Sequence, residues 1–588
     1  FSVSYVAHVG SLQVPLWVTI VSLWSSLEGS ILFWGFVLAI NIAVATRLTR
    51  KDEDAVPYAI ATWMACAAFF SFLIAGPANP FLTVSPAPLD GPGPNPLLQN
   101  HVLMAAHPPL LYLGYVGMTI PFGFATAALL RGRLSKSLFR PMRRSLLLSW
   151  IFLTLAIMLG GWWAYEVLGW GGYWAWDPVE NASLLPWLTA TAALHSAIVT
   201  ERRRILKGWT VTLVQASFLL TILGTFMTRS GVFNSVHSFT QSAIGPTILL
   251  FLCASLIGSV ALLSLRIDAL ESEGKIDGAV SREGAFLVNN LLFVLLTFTV
   301  LIGTVFPLVV EAINGRQMSV GRPYFDSIVV PLGTTLLFLL GVGPALPWGR
   351  ASREAVRRTL LPPLFGGAAL CAAGLLAGIR NPWAVGTCFL GGYALQVTMS
   401  NGFKGNTTRT PPLRRIGAYL IHAGAIVTIL AIAISSTQKV QREVTLQTGE
   451  SASIGSYAVT FAGAELRREP HREATVARVE VARDGRRVAT LEPRMNQYEM
   501  MREPIGTPDV LSTLTGDLYV SIANLGNTQA TLLLIINPMV SWIWVAVVVM
   551  ALGGAVALVP SRWIRWRREV EAEVVAPEAE ARLHLMSS

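Results

Sequence analysis

Long apolar runs separated by short polar loops dominate the chain. Thirteen of these runs are near twenty residues long, the length at which a helix crosses a bilayer with its backbone hydrogen bonds satisfied internally. They lie at 27–46, 55–75, 109–130, 145–163, 183–200, 209–228, 245–265, 285–310, 328–348, 359–378, 382–400, 416–434 and 532–559. The pattern predicts an all-α polytopic membrane protein with about 13 transmembrane helices.

One stretch before the last run has a different pattern. Apolar and polar residues alternate in Thr475–Ala482 and in Val488–Leu491, on either side of the hairpin dipeptide Asp484-Gly485. We therefore expect a small external β-rich domain inserted before the last helix. The predicted organisation is given by the following boundaries: a membrane domain with about 12 helices at 1–434, the β-rich domain at 435–530, the last helix at 531–560 and a charged tail at 561–588.

The composition agrees with this architecture. Only 13% of the residues are charged, against about 25% in soluble domains, which excludes a soluble enzyme and a disordered scaffold. The net charge of +10 follows the membrane, because basic residues concentrate in alternate loops, whereas 76–108 and 164–182 contain no Lys or Arg. The positive-inside rule puts these two loops and 435–530 outside and the C-terminus inside. The excess of basic residues therefore reflects membrane orientation and implies no basic patch for nucleic acid.

The cysteines exclude three kinds of site. All four lie inside apolar runs, and no CxxC or CxxCH is present: Cys66, Cys253, Cys371 and Cys388. A disulfide framework, a zinc knuckle and a covalent haem of the protein's own are therefore not expected. The chain begins at Phe1 without a basic segment, so we expect the native start to lie upstream, and no targeting signal is identified.

One external loop is unusually rich in tryptophan. The loop is predicted at 160–182, and residues 160–187 hold six of the 18 Trp in the chain. Such rings suit a large planar apolar ligand, as a porphyrin is; the alternative is an interfacial aromatic belt. The predicted haem platform comprises Trp162, Trp163, Trp170, Tyr173, Trp174, Trp176 and Asp177. The order Asp177-Pro178-Val179-Glu180 favours capping of the next helix over acid–base chemistry.

Two histidines share the side of this Trp loop. His107 lies at the outer end of its helix and His237 lies in the external loop 229–244. They are candidates for the two axial ligands of a haem on the Trp loop; the alternative is two unrelated loop histidines. Arg229 is a candidate partner for a haem propionate or an interfacial anchor.

Two further histidines lie inside apolar runs. His195 is seven residues before Arg202 and His422 is seven residues after Arg415, so both rings lie about 10 Å from the inner edge at about 1.5 Å per residue. Ionisable groups at such depth are functional candidates. Equal depth on two helices suits bis-histidine ligation of one haem b; the alternative is a hydrogen-bonded core histidine in each case.

The chain also resembles a known family along nearly its whole length. The segments that carry the resemblance are FSVSYVA, SLEGSILFW, NPLLQNHVLMAAHPPLLYLGYVG, GWGGYWAWDPVENASLLPWL, ALHSAIVTERR, TRSGVFNSVHSF, IGAYLIHAGA and GDLYV. It is similar to the CcmF family, the large haem-lyase subunit of system I cytochrome c maturation, within the WWD-domain haem-handling superfamily. The resemblance implies that His107 and His237 hold substrate haem and that His195 and His422 bind a resident haem b.

The implied reaction joins haem to apocytochrome c. The two thiols of a CxxCH segment add across the haem vinyl groups, and a resident haem b, with membrane quinol as a candidate reductant, keeps the substrate iron ferrous. The implied partners are a haem-delivering chaperone, apocytochrome c and its thiol-handling subunit. The domain at 435–530 is a candidate for partner contact, or a cap over the haem cavity. The implied location is the bacterial inner (plasma) membrane, with the Trp loop periplasmic and the C-terminus cytoplasmic.

Two departures from the family pattern limit these implications. The family usually has two more hydrophobic helices before FSVSYVA, so fifteen crossings are expected for the full protein. The family often has His where this chain has Leu27, so no role of that His is transferred. Two other functions stay open: a haem transporter or exporter, although no repeat typical of transporters is seen, and a haem b electron-transfer subunit without ligation activity.

Overall fold

The structure is a computed structural model that describes residues 1–49, 54–99, 101–232, 244–266, 268–403, 412–498, 501–526 and 528–559. His237, residues 233–243 of the predicted loop 229–244, and the tail at 561–588 lie outside these ranges. The described chain forms a helical bundle and one β domain, as predicted.

The helices are α1 Ser4–Val9, α2 Leu16–Val21, α3 Leu27–Leu48, α4 Val56–Ala75, α5 Pro96–Gln99, α6 Leu103–Gly117, α7 Thr119–Arg131, α8 Lys136–Val167, α9 Pro178–Arg203, α10 Lys207–Arg229, α11 Gly245–Leu265, α12 Arg282–Asn314, α13 Arg322–Val342, α14 Arg353–Leu360, α15 Leu364–Leu376, α16 Pro382–Phe403, α17 Pro412–Gln438 and α18 Val540–Leu558. Short 3₁₀ helices lie at Ser22–Trp24, Asp268–Leu270 and Gly343–Ala345. The strands are β1 Val440–Gln447, β2 Ser451–Ile454, β3 Tyr457–Glu469, β4 Arg472–Arg483, β5 Arg486–Leu491, β6 Arg494–Gln497, β7 Ile505–Thr507, β8 Asp509–Leu511, β9 Gly516–Leu525 and β10 Gln529–Pro538.

Twelve helical stretches of the described chain are long and apolar enough to cross a membrane. α6 and α7 together form one of these stretches, Leu103–Arg131, and α14 and α15 form another, Arg353–Leu376. The thirteenth predicted run, 382–400, is also helical as α16 but is not among the twelve, since glycines and Gln396 make it less apolar. The prediction of about 13 membrane helices therefore corresponds to these twelve and α16.

α9 packs against α8, α10 and α12 and forms the centre of the bundle. Two tryptophans join α8 to α9 through reciprocal hydrogen bonds: Trp150 Nε1 donates to Thr191 Oγ1 at 2.9 Å, and Trp187 Nε1 donates to Thr154 Oγ1 at 2.8 Å. Polar groups without water need such partners. These bonds fix the register of the two helices on either side of the Trp loop.

The β domain is a sandwich of two antiparallel sheets. One sheet has the order β1-β10-β9-β8, and the other has the order β2-β3-β4-β6-β7 with β5 paired to β4. Buried apolar side chains from both sheets, including Phe461 and Leu532, form its core. β4 and β5 are joined through Asp484 and Gly485, both with positive φ, which confirms the predicted hairpin turn.

The C-terminal boundary of the β domain differs from the prediction. β10 continues to Pro538 and α18 begins at Val540, whereas the sequence pattern put the boundary at 530 and the last apolar run from 532. The apolar run Leu532–Ile536 is a strand, because both faces of β10 are largely covered. A short continuous apolar run cannot be assigned to helix or strand from periodicity alone.

In chain order, α17 precedes the β domain and α18 follows it. The two helices pack closely through glycines: a Cβ added at Gly417 would lie 2.4 Å from Gly553 O, and one added at Gly424 would lie 2.5 Å from Ala546 O. The closely packed pair holds the sandwich over the end of the bundle that carries the Trp loop.

Candidate functional site

A cavity opens at the Trp-loop end of the bundle, between α6, α8, α9, α10 and the start of α3. Its empty volume is about 1340 Å³ including its opening to solvent. The side chains that line it and concern the predicted chemistry are His107, Arg229, Trp24, Trp34, Trp163 and Trp174. A mostly apolar concave space with a few polar groups is the usual form of a ligand site.

His107 is held against α8 by a hydrogen bond and by close packing. Its Nδ1 lies 2.9 Å from Ala156 O, and a Cβ added at Gly160 would lie 2.8 Å from His107 Cε1. Glycine at position 160 therefore lets the imidazole lie directly on the helix. When Nδ1 donates to the carbonyl oxygen, the lone pair is on Nε2, the arrangement usual for a metal-ligating histidine.

Arg229 is the last residue of α10 and also lines the cavity. Its Nη2 donates to Tyr112 Oη at 3.2 Å. The Tyr112 ring packs edge-on against Trp34, with ring centres 5.8 Å apart. One wall of the cavity thus combines a cation with an aromatic cluster from α3 and α6.

The predicted platform residues do not all face this cavity. Trp163 and Trp174 line it, but Trp162 stacks on Trp544 of α18 with ring centres 5.7 Å apart. Trp176 stacks on Phe325 of α13 at 4.8 Å, and its Nε1 donates to Asp326 at 3.0 Å. Part of the Trp loop therefore lines the cavity, and part anchors the loop to neighbouring helices.

The other platform residues have structural contacts. The Tyr173 and Ser435 hydroxyls are 2.8 Å apart, and the ring of Trp170 lies so close to Gly172 that a Cβ there would be 2.1 Å from it. Asp177 Oδ1 accepts from Val179 N at 2.8 Å, and Glu180 accepts from Asp177 N at 3.1 Å. This capping box at the start of α9 confirms that Asp177 and Glu180 cap the helix.

The β domain forms hydrogen bonds with the Trp loop at Gly171. Asn537 Nδ2 donates to Gly171 O at 3.3 Å and to Tyr165 Oη at 3.1 Å, and Lys439 Nζ donates to Gly171 O at 3.2 Å. Tyr165 Oη donates to the buried Asp517 at 3.4 Å. Burial raises the pKa of the Asp517 carboxyl above its usual range. The GDLYV segment thus supplies a carboxylate that ties β9 to the end of α8.

His101, for which the sequence pattern predicts no role, lies beside the Trp loop. Its Nε2 is 2.7 Å from Glu166 Oε2, and Glu166 Oε1 accepts from Trp162 Nε1 at 2.7 Å. Leu103 N donates to His101 Nδ1 at 3.2 Å, so Nδ1 accepts and Nε2 is the nitrogen that faces Glu166. No spacing signal could have found this contact, because it joins the start of α6 to the end of α8.

His195 and His422 lie together inside the bundle, as their predicted depths require. Their ring centres are 6.3 Å apart, with planes at 71°. An imidazole nitrogen lies about 2 Å from a metal it ligates, and the ring centre lies about 1 Å farther, so two axial imidazoles have centres roughly 6 Å apart. The spacing would therefore allow both rings to ligate one iron.

α12 completes the surroundings of this histidine pair. Asn289 Nδ2 and His195 Nδ1 are 2.8 Å apart, and the rings of Phe286 and Phe293 lie 5.6 Å and 6.1 Å from the His195 ring. The amide of Asn289 can accept from Nδ1–H in its other orientation, since amide nitrogen and oxygen are assigned by the network. The apolar rings suit a porphyrin face.

Comparisons with known proteins agree with these features. The family model described as "Cytochrome C assembly protein" matches residues 24–233, and that described as "CcmF C-terminal beta-sandwich" matches residues 437–538. The chain is 37% identical to the cytochrome c-type biogenesis protein CcmF of Pseudomonas aeruginosa over 577 residues, which cover 96% of this chain and 87% of that one.

Two further matches extend over similar lengths. The CcmF of Escherichia coli is 36% identical over 597 residues, covering 98% of this chain and 90% of that protein. A solved structure titled "Cytochrome c Heme Lyase CcmF" matches with a TM-score of 0.79 and 35% identity, covering 95% of this chain and 87% of that one. The likeness therefore includes both the helical bundle and the β domain.

Proposed function

The chain belongs to the CcmF family of cytochrome c-type biogenesis proteins, and from that premise we propose that it is a cytochrome c haem lyase. It holds substrate haem in the cavity beside the Trp loop. The main support for this proposal is the hydrogen bond between His107 Nδ1 and Ala156 O, which fixes the imidazole at the cavity wall. A histidine fixed in this way presents Nε2 to an iron in a constant direction.

The cavity supplies the other contacts that a haem requires. Trp163 and Trp174 offer aromatic surface to the porphyrin plane, and Arg229 offers a cation to a propionate. His237 is the proposed second axial ligand; it lies outside the described residues and is assigned from its place in the external loop. Asp177 acts by capping α9 beneath the loop.

The proposed reaction is an addition that leaves no net redox change. The S–H bond of each CxxCH cysteine adds across a haem vinyl group, so that one vinyl carbon gains the sulfur and the other gains the hydrogen. The contribution of this chain is to fix the haem so that its vinyl groups meet the thiols, which removes much of the entropy cost of the encounter.

His195 and His422 are the proposed ligands of a resident haem b, supported by the 6.3 Å spacing of their rings. Such a haem, when bound, supplies electrons that keep the substrate iron ferrous, with membrane quinol as the proposed reductant. Asn289 orients the His195 ring. Phe286 and Phe293 exclude water from its faces.

The proposed orientation has the Trp loop and the β domain on the periplasmic side and the C-terminus in the cytoplasm. It is supported by the absence of Lys and Arg from 76–108 and 164–182. Partners on the outer side are a haem chaperone, apocytochrome c and its thiol-handling subunit. We assign the β domain chiefly to positioning the Trp loop, because Lys439 and Asn537 both bond to Gly171 O.

Complementation tests the proposal. In cells that lack their own family member, His107→Ala should abolish haem-stained c-type cytochromes, because the substrate iron loses a ligand. The matched control is His8→Ala, which changes an exposed histidine of α1 and should support wild-type maturation. Normal maturation by His107→Ala at equal protein abundance would exclude the lyase mechanism and favour the electron-transfer subunit. Haem accumulation in vesicles that depends on the protein would favour a transporter.

A further inference from the structure

Two arginines converge on one tryptophan beside the His195–His422 pair. The guanidinium carbons of Arg202 and Arg282 each lie 5.4 Å from the centre of the Trp348 ring. Arg202 lies at the end of α9 and Arg282 begins α12, so the cluster joins two helices at the basic end of the bundle. Two cations on one indole are unusual, because each repels the other.

Helical spacing connects this cluster to the histidines. Arg282, Phe286, Asn289 and Phe293 follow one another at intervals of three or four residues, so they share one face of α12. Phe286 contacts both neighbours: its ring centre is 5.6 Å from that of His195 and 6.1 Å from that of Trp348. The cluster therefore begins about one helical turn along α12 from Phe286, which contacts His195.

In the described part of the chain, the hydrogen bonds of Arg282 do not compensate its charge. Its Nε donates to Leu346 O at 2.9 Å and its Nη2 donates to Pro344 O at 2.6 Å, and these main-chain oxygens carry no full negative charge. The adjacent Glu283 is engaged by Arg203 at 2.8 Å. A half-buried cation of this kind is stabilised by an anion.

Trp348 provides a further donor. Within the described ranges, its buried Nε1–H has no hydrogen-bond acceptor. A buried donor without an acceptor costs about 1–3 kcal/mol. The indole and the Arg282 guanidinium thus share a requirement for an acceptor that carries negative charge, which a carboxylate meets, and Arg202 adds a second cation at the same ring.

We propose that Arg202, Arg282 and Trp348 form a carboxylate subsite that binds a propionate of the resident haem. The proposal rests on the proposed role of His195 and His422. Bonds of about 1.5 Å put the carboxylates of a porphyrin on the order of 8 Å from its iron. This length is comparable to the path from His195 to Trp348, which consists of two ring contacts of 5.6 Å and 6.1 Å through Phe286. An anionic lipid headgroup also carries negative charge, but a lipid site would not require Phe286 to contact both Trp348 and His195.

The test measures how the full chain holds haem b in lipid nanodiscs. Arg202→Gln, Arg282→Gln and the double variant are compared with Arg353→Gln, a control at the start of α14. We expect haem to transfer from the double variant to apomyoglobin about 10- to 100-fold faster, the factor that a hydrogen bond to a charged group represents. The midpoint potential should become more negative, since nearby cations favour the reduced haem. Arg282→Lys should keep a potential near that of the wild type.

The outcomes separate this subsite from the function on which it rests. Wild-type protein without a bis-histidine spectrum would overturn both. Wild-type protein with that spectrum, together with a double variant of unchanged transfer rate and potential, would overturn the subsite alone. Loss of co-purifying anionic lipid with unchanged haem would assign the cluster to a headgroup instead. Arg202→Gln changes an exposed side chain, so it keeps the test valid where Arg282→Gln does not fold.

Discussion

Replacement of Gly171 by alanine should displace the Trp loop from the β domain. Gly171 has a φ of +69°, and an L-residue in this left-handed region costs roughly 1–2 kcal/mol. The new Cβ would lie 2.1 Å from Ile535 Cδ1, an overlap that costs about 1–3 kcal/mol. The expected total is about 2–5 kcal/mol, concentrated where Lys439 and Asn537 hold the loop.

Gly485→Ala is the matched control for this prediction. Gly485 has a φ of +78° and no atom within 4 Å of an added Cβ, so this variant should lose only about 1–2 kcal/mol. Thermal unfolding, followed by a dye that reacts with the buried thiols of Cys66 and Cys388, measures the stability. Haem staining of c-type cytochromes in complemented cells measures function, and only Gly171→Ala should reduce it strongly.

A second substitution tests the assigned cause. Ile535→Val removes the Cδ1 atom that overlaps the new methyl group, so Gly171→Ala/Ile535→Val should recover much of the lost maturation. Equal stability and equal maturation for Gly171→Ala and Gly485→Ala would show that the contact between Gly171 and the β domain does not hold the Trp loop in place. Failure of the valine to restore any activity would show that contact with Ile535 is not the cause.

Two further predictions concern the supports of the site. Asp177→Ala should cost about 0.5–2 kcal/mol of folding stability by loss of the α9 cap and should lower cytochrome c maturation. The control Ser352→Ala, which removes the cap of α14, should lower stability but leave maturation unchanged. Equal maturation in both variants would contradict a role of the α9 cap in the site. Burial raises the pKa of Asp517, so the folded protein holds that proton more tightly than the unfolded chain. This stabilisation is present at acidic pH and is lost as the pH rises through the raised pKa. The Tm of the wild type should therefore fall relative to that of Asp517→Asn as the pH rises from about 4 to about 7; a constant difference would contradict this.

The sequence pattern predicted the parts of the molecule that depend on local periodicity. Apolar run length identified the membrane helices, and the Asp177-Pro178-Val179-Glu180 order identified the cap of α9. The depths of His195 and His422 could be compared because each helix has a basic residue at its end. These inferences need only helix geometry and neighbouring charges.

Contacts between distant segments could not be predicted in the same way. Trp34 and Tyr112 come from separate helices and meet only in the folded bundle. Trp162 and Trp176 were assigned to a haem platform, but their rings stack on Trp544 and Phe325, partners that no spacing in the loop indicates. One chain segment therefore both lines the cavity and anchors itself to neighbouring helices.

The number of haems per chain, measured with single histidine variants of protein purified from native-like membranes, distinguishes the two proposed haem sites from each other. The wild type should hold up to two haems. His107→Ala should lose the substrate haem and keep a bis-histidine b spectrum, and His422→Ala should lose that spectrum. Retention of the bis-histidine spectrum by both His195→Ala and His422→Ala would exclude these residues as haem b ligands, and unchanged haem content in His107→Ala would exclude His107 as a ligand of substrate haem.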